Sequence, residues 1–182
     1  MPELRESLAW PYDFELVEPC VDLSQFQITS DVPLVVLAQD GTGGLFALCG
    51  TDDLENAPVV HITSEGQAGL ISKNFNQAVS LIVSLPYWRD LLKFSGGGKL
   101  KEMRRALTLS EDDLVEDQPE VLGLRKKIEK DLELVSFDDP VEYLHSVAHS
   151  EGPTIKSRDG EAFDWLFNTF VVENNPYWKN KA

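Results

Sequence analysis

His61, Thr63 and Glu65 are spaced by two in the run HITSE, so an extended strand would carry all three on one face. A His–Glu pair so placed could serve as the general base of a small hydrolase or as part of a metal site. The more common role of a strand histidine is that of a hydrogen-bonded, half-buried polar group. His145 and His149 are four apart, and on one helical face that spacing can bind zinc. Their run is HSVAH, however, without the glutamate of HExxH, and no third ligand follows from the sequence. No metal is expected.

Other chemistry-bearing residues lack a constellation. Gly96-Gly97-Gly98-Lys99 has no second, spaced glycine, and Leu100 stands where a phosphate loop places the Ser or Thr that holds magnesium. The turn Asp40-Gly41-Thr42-Gly43-Gly44 leads into a strand pattern rather than the helix of a dinucleotide fold. Cys49 has no basic neighbours, and no GxSxG occurs. Asp52, Asp53 and Glu55 match a calcium loop only in composition. No cofactor is expected, and a hydrolase around His61 and Glu65 stands behind non-enzymatic readings.

Charge says more. The 182 residues carry a formal charge of −15, unevenly distributed. In residues 1–60, eleven acids face Arg5 alone, a net of −10, which leaves −5 for the other 122 residues. Such a surface repels nucleic-acid phosphates and anionic lipid, whose binding depends on Lys and Arg. It would steer a basic protein partner, or serve solubility alone. Two cysteines are too few for a disulfide framework, and the acidic N-terminus has no basic leader segment, so a reducing cytoplasm is expected. No apolar run approaches the ~20 residues that span a bilayer.

The elements that must position these residues are centred on 33–92. Leu34–Ala38 is a continuous apolar run that reads as a buried strand. The glycines of 40–44 supply a hairpin turn, Leu45–Cys49 returns, and Val59–Thr63 is a third strand opened by Pro58. A short Leu70–Ser72 segment follows. Asn74 is a good N-cap for a helix whose apolar positions, Phe75, Ala78, Val79, Leu81, Ile82 and Leu85, form one broad face. Pro86 should break that helix and take the first position of another, Tyr87–Phe94, with glycines 96–98 ending it.

Residues 1–31 read as an acidic, partly irregular arm. It would be anchored by Trp10, Tyr12 and Phe14 and carry one short strand near Phe26–Ile28. Residues 96–182 read as a mostly helical extension. Its parts are a charged helix over Lys99–Leu107, a capping box at Ser110 and Asp113, an amphipathic stretch over Pro119–Leu134, and a helix opened by Asp139-Pro140. An aromatic tail should pack back on the body. The expectation is one α+β domain: an antiparallel sheet of about four to six strands over 32–95, backed by helices.

The central stretch resembles the SUKH superfamily, whose best-known branch is the Smi-one/Knr-four-like proteins. The likeness lies in the strand ending in Asp40 with Gly43 and Gly44, the return strand with Phe46, the strand Pro58-Val59-Val60-His61, and the helix led by Asn74-Phe75. It covers about sixty residues. The resemblance implies a binding protein rather than an enzyme, of the bacterial immunity type that neutralises toxins, many of them nucleases. On that reading Asp40, Asp52, Asp53, Glu55 and Glu65 form acidic loops that meet a basic partner. A second reading is a scaffold or regulator that binds a peptide or a second copy, as a homodimer, through Trp88, Trp165 or Trp178.

Overall fold

The computed structural model describes residues 2–50, 52–179 and 181. After helix α1 (Pro2–Ala9) come strands β1 (Glu15–Cys20), β2 (Ile28–Ser30), β3 (Leu34–Gln39), β4 (Leu45–Cys49), β5 (Val59–Ile62) and β6 (Ala68–Ser72). Then follow α2 (Phe75–Ser84), α3 (Trp88–Lys93), α4 (Leu100–Asp117), α5 (Val121–Asp131), α6 (Pro140–Ala148) and a last strand β7 (Ile155–Ser157). Five strands form one antiparallel sheet in the order β1-β3-β4-β5-β6, while β2 and β7 pair apart from it. The fold is α+β.

The central strands β3, β4 and β5 are buried on both faces, which is why they read as unbroken apolar runs instead of alternating ones. Val35, Leu37, Phe46, Leu48 and Val59 face the helices, in the large core completed by Leu81, Ile82, Trp88, Leu91 and Met103. Leu34, Val36, Leu45, Ala47, Val60 and Ile62 face the other way, onto Ile28 of β2 and Ile155 of β7. α2 is capped as its sequence implies, with the Asn74 side chain accepting from the Gln77 N–H at 2.9 Å. α6 likewise begins at Pro140, with Asp139 accepting from the Glu142 N–H.

Residues 1–31 are not an arm. They supply α1 and β1, and β1 is an edge strand paired with β3 through Glu15–Gln39 and Leu16–Ala38. Tyr12 and Phe14 are buried, but Trp10 is 70% exposed and anchors nothing. Proline is compatible with this strand because β1 lies at the sheet edge, where Pro19 costs no central ladder bond. Pro86 is not the first residue of α3; it sits in the turn before it, and the helix starts at Trp88. The Ser110–Asp113 capping box does not form either. Ser110 lies inside the longer α4 and turns its hydroxyl back to the Ala106 carbonyl at 2.9 Å, while Leu109 and Leu114 carry the buried face onward.

Candidate functional site

The hairpin after β3 is built around one carboxylate. Asp40 Oδ1 accepts from the Thr42 N–H (2.9 Å), the Thr42 hydroxyl (2.6 Å) and the Gly44 N–H (2.8 Å). Gly43 adopts φ +87°, and a Cβ at Gly44 would collide with the Asp40 carboxylate, so this turn requires glycine at both positions. Asp40 Oδ2 then meets His61 Nε2 at 3.0 Å and Arg89 Nη1 at 2.9 Å. Arg89, on α3, also pairs with Asp13, whose other oxygen accepts from the Gly41 N–H at 2.6 Å. One arginine thus ties Asp13, two residues before β1, to the turn of the hairpin.

Burial alone would raise the Asp40 carboxyl. Hydrogen bonds from His61, Thr42 and Gly44 and the charge of Arg89 outweigh it and hold the group well below the usual carboxylate range. An ionised Asp40 has only lone pairs to offer, so the His61 proton sits on Nε2. Burial keeps the imidazole below its ordinary pKa, against the pull of Asp40 toward the charged form. Phe46 and Trp88 pack on the ring, with centroids 4.7 and 4.9 Å away. His61 Nδ1 finds no hydrogen-bond partner among the described residues.

Above this network lies a cleft of about 520 Å³, lined by Asp40 and His61 themselves together with Thr42, Thr63, Glu65 and Arg89 among others. Glu65 reaches the cleft, but it is not the partner of His61. β5 stops at Ile62, and the chain turns through Gly66 at φ +86°, so the strand alternation does not extend to Glu65. His61 is 1% exposed, and Asp40 takes the place foreseen for Glu65. The pair ties β5 to the hairpin turn at the floor of the cleft.

The acids singled out from sequence do not form one patch. Asp40 is buried at the floor of the cleft and paired with Arg89. Strand polarity puts the 40–44 and 63–67 turns at one end of the sheet and the β4–β5 loop at the other. Asp52, Asp53 and Glu55 are exposed on that loop, with Asp53 accepting from the Asn56 side chain at 3.0 Å. Of the three tryptophans, Trp88 and Trp178 are buried; Trp178 stacks on Phe94 and donates to Asp113 at 2.7 Å. Trp165, 52% exposed, is the one that keeps surface.

The His145 and His149 rings pack with centroids 4.2 Å apart, tilted by 50°, and their ring nitrogens engage the Gly98 and His145 carbonyls. Among the described residues no cluster of three or more potential ligands could hold a metal ion. The Gly96 and Gly97 amides point to the Phe170 and Asn168 carbonyls, so the C-terminal tail takes the donors a phosphate would need.

A second concavity lies beside the acidic loop. α1 packs on β1 and α2 on β6, which leaves part of the helical face of β3 and β4 uncovered. The result is an apolar groove of about 540 Å³, floored by Leu16, Val35, Leu37 and Leu48 and walled by Leu54 and Phe75.

Asp13 and Arg89 were not evident from the sequence. The one signal was Arg89 itself, a lone arginine between Trp88 and the apolar pair Leu91 and Leu92. No protein-family model, curated protein or solved structure matches this chain. No helix among the described residues is long and apolar enough to cross a membrane.

Proposed function

We propose that this chain is a protein-binding module of the SUKH immunity type, acting in the cytoplasm without catalysis. Its partner is a basic, nuclease-like toxin domain. The observation that carries the reading is the β4–β5 loop: Asp52, Asp53 and Glu55 stand exposed together on a protein whose net charge is −15. A surface of that sign accelerates encounter with a basic protein and disfavours nucleic acid and anionic membranes. The hairpin turn, the Pro58-led strand and the Asn74-capped helix lie in the order of the SUKH pattern, and this supports the same reading. His61 and Asp40 are 1% and 6% exposed and hydrogen-bonded to each other, and in the binding reading they hold the hairpin in place rather than act on a substrate.

The test is affinity capture at low and high ionic strength, with every retained protein identified. Basic proteins should be retained at low salt and released at high salt. The combined variant Asp52→Ala, Asp53→Ala, Glu55→Ala should lose them. Retained partners without basic character, or undiminished capture by the variant, would show the acidic-surface reading to be wrong.

A further inference from the structure

We infer that the apolar groove between α1 and α2 is the docking site for an apolar ridge flanked by Lys or Arg on a protein partner. The inference rests on the binding-module reading and specifies the chemistry of its partner. Polar-rimmed apolar hollows mark interaction sites when no element of the fold covers them. This one has a floor of Val35, Leu37 and Leu48, each still 7–8% exposed, and Leu54 stands 43% exposed on its wall. Its volume of about 540 Å³ admits more than one aliphatic side chain.

Charge selects the occupant. The charged residues that line the groove itself are Glu55 and Arg5; the elements around it add exposed Glu6, Glu15, Glu18, Asp52 and Asp53 against Lys73, while β3, β4 and α2 carry no charge at all. A second copy of a chain with net charge −15 would bring like charges together at this rim, and an anionic lipid surface would be repelled too. Arg5, which lines the groove, donates to the Leu16 carbonyl at 3.3 Å, so its charge is held beside β1. A basic segment carrying a leucine-like ridge satisfies both the apolar floor and the acidic rim. An acidic segment fails at the rim, and a purely polar one fails at the floor.

The experiment uses the full chain and three labelled synthetic helical peptides, followed by fluorescence anisotropy at low ionic strength. The first has a leucine stripe and a lysine face, the second has the leucines replaced by serine, and the third has the lysines replaced by glutamate. The first peptide alone should bind. Leu54→Gln should weaken it roughly tenfold, the worth of one buried leucine side chain. Asp52→Asn with Asp53→Asn and Glu55→Gln should weaken it and flatten its salt dependence. Leu54 is exposed, so its variant should keep the parent melting curve, which separates lost docking from lost folding. Equal binding of the lysine–serine peptide would overturn the groove while leaving the acidic-surface reading intact. Equal binding of the glutamate peptide, or none by the first, would overturn the inference. So would a dimer of the parent chain that Leu54→Gln converts to monomer, since the groove would then take a second copy.

Discussion

His61 donates through Nε2 to Asp40 at 3.0 Å, and both side chains are almost wholly excluded from solvent. The contact joins β5 to the hairpin turn, and Arg89 on the far side of the carboxylate joins α3 to the same point. Three segments distant in sequence are therefore fastened at one buried charge. A buried carboxylate is tolerable when its lone pairs are met, and Asp40 accepts from Thr42, Gly44, His61 and Arg89.

That arrangement makes stability depend on pH in two windows. The folded imidazole is held below its ordinary 6.5, so the unfolded chain takes a proton there that the folded chain refuses. Stability contributed by neutral His61 is therefore lost as pH falls below about 6.5. Asp40 has the depressed carboxylate pattern: its contribution is complete above the ordinary 3.8 and is lost as pH falls below it. Urea denaturation between about pH 7 and 5 should show a slope that His61→Gln reduces. Identical slopes in parent and variant would mean that His61 binds protons equally in both states.

Removing the carboxylate should be costly. Asp40→Asn keeps the shape but takes away the charge facing Arg89, and Asp40→Ala also orphans the Gly44 N–H and His61 Nε2–H. The expected losses are about 2 kcal/mol for Asn and about 3–5 kcal/mol for Ala. Asp13→Ala should cost only about 1 kcal/mol, because Asp13 and Arg89 are each more than a third exposed and water screens their pairing. Denaturant midpoints at neutral pH give the order directly, and an Asp13 variant as damaged as the Asp40 variant would contradict it.

The parts legible in the sequence were those governed by local pattern. β3, β4 and α2 lay close to where apolar runs, a glycine turn and an asparagine cap put them. β1 was hidden because its acids and Pro19 break the pattern of a buried strand, and an edge strand tolerates both. The candidate site was legible only in pieces. Asp40 and His61 were both singled out, but 21 positions separate them and 76 separate Asp13 from Arg89, so only the fold could pair them. The acidic loops divide for the converse reason: residues close in sequence lie at opposite ends of a sheet whose strands alternate in direction.

The tryptophans should separate by burial. Trp88 is 2% exposed and packs on His61 and Phe46, so Trp88→Ala should cost about 3–5 kcal/mol through the cavity it leaves. Trp165 is half exposed, and Trp165→Ala should cost well under half of that despite its edge contact with Phe167. Thermal or urea melts settle the comparison. Equal losses would mean that the tail around Trp165 is a structural element on a par with α3.

Thiol chemistry offers a last check on whether Cys49 can act as a nucleophile. It is half-buried at the end of β4, and burial pushes the thiol from 9.0 up to about 11. At neutral pH the thiolate, the reactive form, is then about a hundredfold scarcer than on a free cysteine. In a Cys20→Ser background, a disulfide reagent such as DTNB should therefore modify the native protein far more slowly than the urea-unfolded chain. Labelling of Cys49 in the native protein at the free-thiol rate would show an accessible, activated sulfur in β4, against the direction its burial gives.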